Sequence, residues 1–136
     1  MKRVLLVFSA ALLFALSALQ QNARAQNRSY HQDMHWLAPA SAITQPNPLR
    51  GNAEAVKGGK KLFKHYCASC HGADGTGRRR AANLQSVEVQ IESDGILFWK
   101  ITNGNLDRGM PSFSGLPELE RWQLALYIHK LGGGLR

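Results

Sequence analysis

The sequence predicts an all-α fold built on three helices. Three stretches repeat apolar residues at helical spacing, each is bounded by cap or breaker residues, and no segment alternates convincingly with the period of a strand. Val87-Glu88-Val89-Gln90-Ile91 is the one strand candidate, and it is short.

The first helix begins behind Asn52, whose side chain suits the free N–H groups of an opening turn. Ala55, Val56, Gly59, Leu62, Phe63 and Tyr66 follow at helical spacing, with Lys57, Lys60, Lys61 and Lys64 on other faces. Gly58 and Gly59 each weaken a helix by up to about 1 kcal/mol relative to alanine, so a glycine here marks close approach by another element. The second helix runs from Asp94 to Asn103, between Ser93 as cap and Gly104 as stop. Its Ile96, Leu97, Phe98, Trp99 and Ile101 require burial on most sides. The third opens at Pro117, a residue suited to the first helical position, with Glu118 and Glu120 in the first turn and Lys130 in the last, as the helix dipole favours. Trp122, Ala125 and Leu126 form one apolar stripe, and Leu124, Tyr127, Ile128 and Leu131 a second beside it, wide enough to cover more than one neighbour. Trp99, Trp122 and Tyr127 read as ordinary core.

The flanks differ in composition from this helical region. Lys2 and Arg3 precede an apolar run from Val4 to Leu19, followed by Ala23-Arg24-Ala25, so residues 1–25 read as a secretory signal peptide. The run is short for a bilayer span of about 20 residues, and no stable membrane insertion is expected after cleavage. Residues 26–50 are rich in Asn, Gln, Ser and Pro and read as an extended arm, in which Pro39, Pro46 and Pro48 block long helices and Met34, Trp36 and Leu37 are candidates to pin it down. Residues 51–132 form the domain, and 133–136 a flexible tail. The exported chain is expected to be soluble and, in a bacterium, periplasmic.

Chemistry enters with Cys67-Ala68-Ser69-Cys70-His71. A Cys-x-x-Cys-His run is the attachment signature of a c-type haem: two thiols on one helical turn add to the two vinyl groups, and the adjacent imidazole takes a position under the iron. A structural zinc needs about four ligands, and these are the only two cysteines, with His31, His35, His65 and His129 scattered singly. A thioredoxin-like pair would follow a strand, and nothing before Cys67 reads as one. The first helix thus delivers Cys67 and Cys70 to the edge of one haem c.

The sixth iron ligand decides what such a haem does. Met110 lies in Gly109-Met110-Pro111-Ser112-Phe113, where the proline keeps Met110 out of a helix and the glycine lets backbone pass close to a flat ring. That loop, between the second and third helices, can present a thioether to the far face, so His71 and Met110 are the expected iron ligands. Neither catalytic acid, base nor nucleophile is required of a carrier, and the chain is expected not to be an enzyme.

Charge narrows the partners. Of 17 basic residues Lys2, Arg3 and Arg24 leave with the leader, so 14 face 9 acidic ones, a net of +5. That surplus can steer an acidic protein partner and is too small and scattered for nucleic acid. Arg78-Arg79-Arg80 is the dense cluster, open to two readings, a solvated loop or a patch for docking or for a propionate.

Taken together, these residues resemble the small class I cytochromes c over about residues 50 to 132. Gly59-Lys60-Lys61-Leu62-Phe63 is similar to the glycine and aromatic pair of that family's N-terminal helix, followed at the family's spacing by Cys67, Cys70 and His71. Gly109-Met110-Pro111 looks like its axial methionine loop, and Leu124-Ala125-Leu126-Tyr127 like the crossing face of its C-terminal helix. Bacterial periplasmic single-haem domains with an Asp-Gly-x-Leu-Phe-Trp helix, here Asp94 to Trp99, and an Arg-Trp pair, here Arg121-Trp122, are similar in the same way. The resemblance implies a three-helix cytochrome c fold wrapped around one covalently bound haem. One departure matters: many members hold the axial histidine's second ring nitrogen with a proline carbonyl, and no proline stands between His71 and Pro111. Another backbone carbonyl, near Ala81 to Asn83, is expected to take that place.

Two functions follow. In the first, the protein is a periplasmic electron carrier between a dehydrogenase and a terminal acceptor, with redox proteins (dehydrogenase, oxidase or another cytochrome) as partners. In the second, a labile methionine loop makes it a haem-based gas sensor or weak peroxidase, with Asp107 and Arg108 as the nearest polar groups.

Overall fold

Two long helices cross where the sequence places its paired glycines. The computed structural model describes residues 36–78 and 81–133, and within them helix α2 (Ala53–Tyr66) packs most extensively against helix α6 (Glu118–Leu131). Gly59 is buried at the crossing, where a β-carbon would collide with the Gln123 carbonyl and with Cβ of Tyr127; Gly58 meets the Gln123 side chain. Backbone therefore rests on backbone there, an approach only glycine permits. Phe63, Trp122 and Leu124 are the largest fully buried side chains, and Phe63 lies 5.3 Å from Tyr127, ring centre to ring centre. Truncating one such aromatic to alanine costs about 3–5 kcal/mol.

The other described helices are α1 (Ala40–Thr44), α3 (Ala68–His71), α4 (Val87–Gln90) and α5 (Asp94–Asn103), with a 3₁₀ turn at Leu106–Arg108. No strand occurs among the described residues, only an isolated antiparallel bridge between Asn105 and Met110. The fold is a small all-α one, as expected.

Capping chemistry sets the ends. The Asn52 side chain accepts from the N–H groups of Glu54 and Ala55, and Ser93 Oγ accepts from Ile96 N–H, so α2 and α5 begin where their caps direct. Gly104, at φ 67° and ψ −172°, ends α5 in a conformation open essentially to glycine alone. Helix α6 starts one residue later than expected: Pro117 is extended (ψ 143°) and serves as the cap, with Glu118 as the first helical residue.

Two further readings need correction. The strand candidate at 87–91 is helix α4, because Gln90 N–H bonds to Ser86 C=O at 3.0 Å and the Gln90 side chain reaches the carbonyls of Leu84 and Ile128 at 2.6 and 2.9 Å. With no partner strand among the described residues, those tertiary bonds outweigh the local alternation, and Val87 and Ile91 lie exposed while Val89 is buried. The arm is not wholly extended, since its described part contains α1 behind Pro39. Of its expected pins, Trp36 is engaged, Leu37 is 60% exposed, and Met34 lies outside the described residues. Helix α5 buries Leu97 and Ile101 fully and Ile96, Phe98 and Trp99 in part, mainly against α6 and α1, as its apolar sequence requires. The leader at 1–25 and residues 134–136 of the tail also fall outside the described residues.

Candidate functional site

Helix α2 runs directly into the cysteine motif: Cys67 closes α2 by bonding to Phe63 C=O at 2.9 Å and at the same time caps α3, which carries Cys70 and His71. The two thiols differ in setting. Cys67 is half-buried and Cys70 exposed, and both are free of any disulfide. Burial first, and the neighbouring Cys70 second, push the Cys67 thiol up to about 12, which keeps it protonated at neutral pH.

The segment after His71 folds back on it. Gly77 N–H bonds to His71 C=O at 2.7 Å and Leu84 N–H to Gly75 C=O at 2.7 Å, which carries residues 81–83 across the imidazole. His71 Nδ1 then lies 3.0 Å from the Ala82 carbonyl. The acceptor is a backbone carbonyl from the short stretch the sequence pointed to. A carbonyl accepts and does not donate, so this contact places the ring proton on Nδ1 and leaves the Nε2 lone pair for a metal. Burial lowers the His71 pKa and the Ala82 bond partly offsets it, so burial disfavours the cation that could not ligate.

Met110 sits on the other loop. Its backbone exchanges two hydrogen bonds with Asn105, at 2.8 and 2.9 Å, closing a tight hairpin over Leu106–Gly109, with Gly109 at φ 84°. Beyond Met110, Phe113 N–H bonds to Ile101 C=O at 3.1 Å and Ser112 Oγ donates to Thr102 C=O at 2.6 Å, tying the loop to the last turn of α5. The Met110 side chain is half-buried. The two segments meet through their neighbours: the rings of Tyr66, next to Cys67, and Phe113, three residues after Met110, lie 6.2 Å apart.

The donor set fits a covalently held haem: two free thiols three positions apart, an imidazole with Nδ1 already satisfied, and a thioether on a neighbouring loop. Apolar residues left half-buried beside them, among them Leu62, Phe113 and Leu116, provide surface that a large flat apolar ring would cover. Sequence reasoning named Asp94, Phe98, Arg121 and Trp122 but missed the contacts by which they hold this arrangement. Arg121 Nη1 donates to Thr102 Oγ1 at 2.6 Å and its guanidinium lies 4.8 Å from the Phe98 ring centre, while Phe98 stacks on Trp122 at 4.0 Å. Asp94, 4% exposed, accepts from Arg50 Nη2 at 3.3 Å and lies 2.9 Å from His129 Nε2, joining the ends of α5 and α6 to the arm. No local signal marks these pairs, whose members lie far apart in sequence. Of the cluster at 78–80 only Arg78 is described, and it is exposed.

An all-α domain with a Cys-x-x-Cys-His motif defines a c-type cytochrome, an electron-transfer protein carrying covalently bound haem c. Comparison makes this particular: residues 54–128 match the family described as cytochrome c oxidase, cbb3-type, subunit III, and the chain belongs to that family. It is 33% identical over 110 residues to the cbb3-type cytochrome c oxidase subunit FixP of Bradyrhizobium sp. (strain ORS 278), covering 72% of this chain and 37% of the relative. It is 38% identical over 88 residues to FixP of Rhizobium meliloti (strain 1021), covering 58% of this chain and 28% of the relative. The chain thus spans roughly a third of the length of these curated relatives.

Proposed function

We propose that this chain is an exported single-haem electron carrier that serves a cbb3-type terminal oxidase. In this reading residues 1–25 are a leader removed on export to the periplasm, 26–50 an arm, 51–132 the haem domain and 133–136 a tail. Cys67 and Cys70 would hold the haem, and His71 and Met110 would ligate its iron. The bound iron supplies a one-electron ferric–ferrous couple. The chain's own residues orient the ligands: Ala82 fixes the imidazole, the Asn105–Met110 hairpin presents the thioether, and the Phe113 ring, in edge contact with Tyr66, adds apolar surface between the two segments. A soft sulfur ligand favours the ferrous state and so raises the potential. The chain itself then needs no acid, base or nucleophile, and substrate chemistry belongs to the partner.

The observation that carries this reading is the His71 Nδ1 contact with the Ala82 carbonyl, which leaves Nε2 as the ring nitrogen available to iron. Oxidase service is supported by family membership and by the names of the relatives. Among the described residues no helix is long and apolar enough to cross a membrane.

The test is the visible spectrum of the exported protein, oxidised and reduced, with and without carbon monoxide. A low-spin reduced spectrum indifferent to carbon monoxide is expected, and Met110→Ala should convert it to one that shifts on adding the gas. A prompt shift in the wild type would favour the sensor or peroxidase reading. A Met110→Ala spectrum and potential equal to wild type would remove Met110 as ligand. Co-purification with the terminal oxidase, retained in mild detergent, tests the partner.

A further inference from the structure

Trp36 belongs to the segment read as an arm, yet its indole Nε1 donates to the Gly104 carbonyl at 2.6 Å, across 68 positions of sequence. Gly104 is no ordinary acceptor. It is buried at the end of α5, where helix carbonyls lack intrahelical partners, and it adjoins Asn105, the residue that pairs with Met110. A β-carbon at Gly104 would lie 2.5 Å from the Pro111 carbonyl carbon and 2.6 Å from Ser112 N, so the Gly104 peptide is the surface on which the segment after Met110 rests. Trp36 is in turn held from its ring face, with Lys100 Nζ 4.9 Å from the ring centre, and Lys100 is itself in a buried ion pair with Glu92. A chain of contacts therefore runs from Glu92 through Lys100 and Trp36 to Gly104 and the methionine loop.

We propose that Trp36 is a positioning residue for the Met110 loop, its indole N–H holding the Gly104 peptide that seats the thioether. The inference rests on the reading of Met110 as the sixth iron ligand. The Phe113–Ile101 and Ser112–Thr102 bonds fix the far end of the loop, and Trp36 fixes the near end from outside the helical frame. Removing the donor leaves a buried carbonyl to recruit water or shift, and either movement loosens the near end. The arm thereby becomes part of the ligand's support, and a displaced arm opens the iron's sixth position.

The experiment uses the full-length, haem-loaded protein and three variants. Trp36→Phe keeps a ring beside Lys100 and removes the N–H; Met110→Ala reports the open site; Leu37→Ala, at an exposed neighbour, is the control. Two readouts are taken: the rate at which the ferrous protein binds carbon monoxide, and the weak far-red sulfur-to-iron band of the ferric protein. With the hydrogen bond gone, Trp36→Phe should bind the gas about tenfold faster than wild type, the factor for a loss of about 1.4 kcal/mol in loop closure, within the range for a buried unpaired acceptor. Leu37→Ala should match wild type. If Met110→Ala abolishes the far-red band while Trp36→Phe keeps the wild-type gas rate, the positioning role is overturned and the ligand reading stands. If Met110→Ala leaves the band unchanged, the ligand reading fails and the positioning role falls with it. Should Trp36→Phe be unstable, a urea titration of it beside wild type decides: a wider gap than in wild type between loss of the far-red band and loss of the helical circular dichroism supports positioning, and a gap equal to wild type overturns it.

Discussion

The two loops that carry His71 and Met110 differ in one support. The His71 loop closes on itself, through Gly77 to His71, Leu84 to Gly75 and His71 to Ala82, all between residues 71 and 84. The Met110 loop also closes locally, through Arg108 and Met110 to Asn105, Gly109 to Leu106, Ser112 to Thr102 and Phe113 to Ile101, but one of its supports, Trp36 behind Gly104, comes from 68 positions away in sequence. Local closures cost little chain entropy and form together, whereas distant ones require the rest of the domain to be in place. Stability is accordingly uneven, and the methionine side is the one expected to open first.

The largest break in this comparison is His71→Ala. It removes both the proposed ligand and the Ala82 contact, and a low-spin spectrum should be lost in both oxidation states; a surviving low-spin spectrum would show that the locally closed loop is not the iron's anchor. Next comes Gly104→Ala. Its φ of 67° with ψ near 180° is costly for any side chain, and the new methyl would strike Pro111 and Ser112, so unfolding should be easier by on the order of 3 kcal/mol, with carbon monoxide binding accelerated as well.

A smaller effect belongs to Asp94, whose partners brace α5 and so stand behind the methionine side. The His129 bond, and less so Arg50, hold its carboxyl below the ordinary value of 3.8 despite burial. The folded pKa is below the unfolded one, so this contribution is fully present above about pH 4 and is lost as pH falls through the folded value. Asp94→Asn should cost about 1–3 kcal/mol at neutral pH and flatten the acid side of a plot of Tm against pH. An unflattened plot would assign the acid sensitivity elsewhere. The smallest change is Leu106→Ala at the hairpin tip, 79% exposed, which should alter stability by less than about 0.5 kcal/mol in a denaturant melt.

The same division explains what could be read from the sequence. Asn52, Ser93 and Gly104 act on residues within a turn of themselves, so the limits of α2 and α5 were legible. The glycine pair announced the crossing with α6, and the missing proline narrowed the imidazole's partner to a stretch that contains Ala82. Trp36–Gly104, Thr102–Arg121 and Asp94–His129 were not legible as pairs, because each joins segments that only the folded chain brings together. Helix α4 failed for the same reason: its state is decided by Gln90 bonding to Leu84 and to Ile128 on α6, and not by the alternation of Val87, Val89 and Ile91.

The crossing of α2 and α6 has a consequence for how the domain can be cut. Those helices lie at the two ends of the domain, with residues 67–117 enclosed between them, and Gly59 seats on the middle of α6 at Gln123. The domain is clasped by its own ends, so a protease that removes the last turns of α6 does not trim an edge. It frees Phe63 from Tyr127 and releases the loop that the clasp encloses, and a clipped chain should be recovered unfolded or not at all.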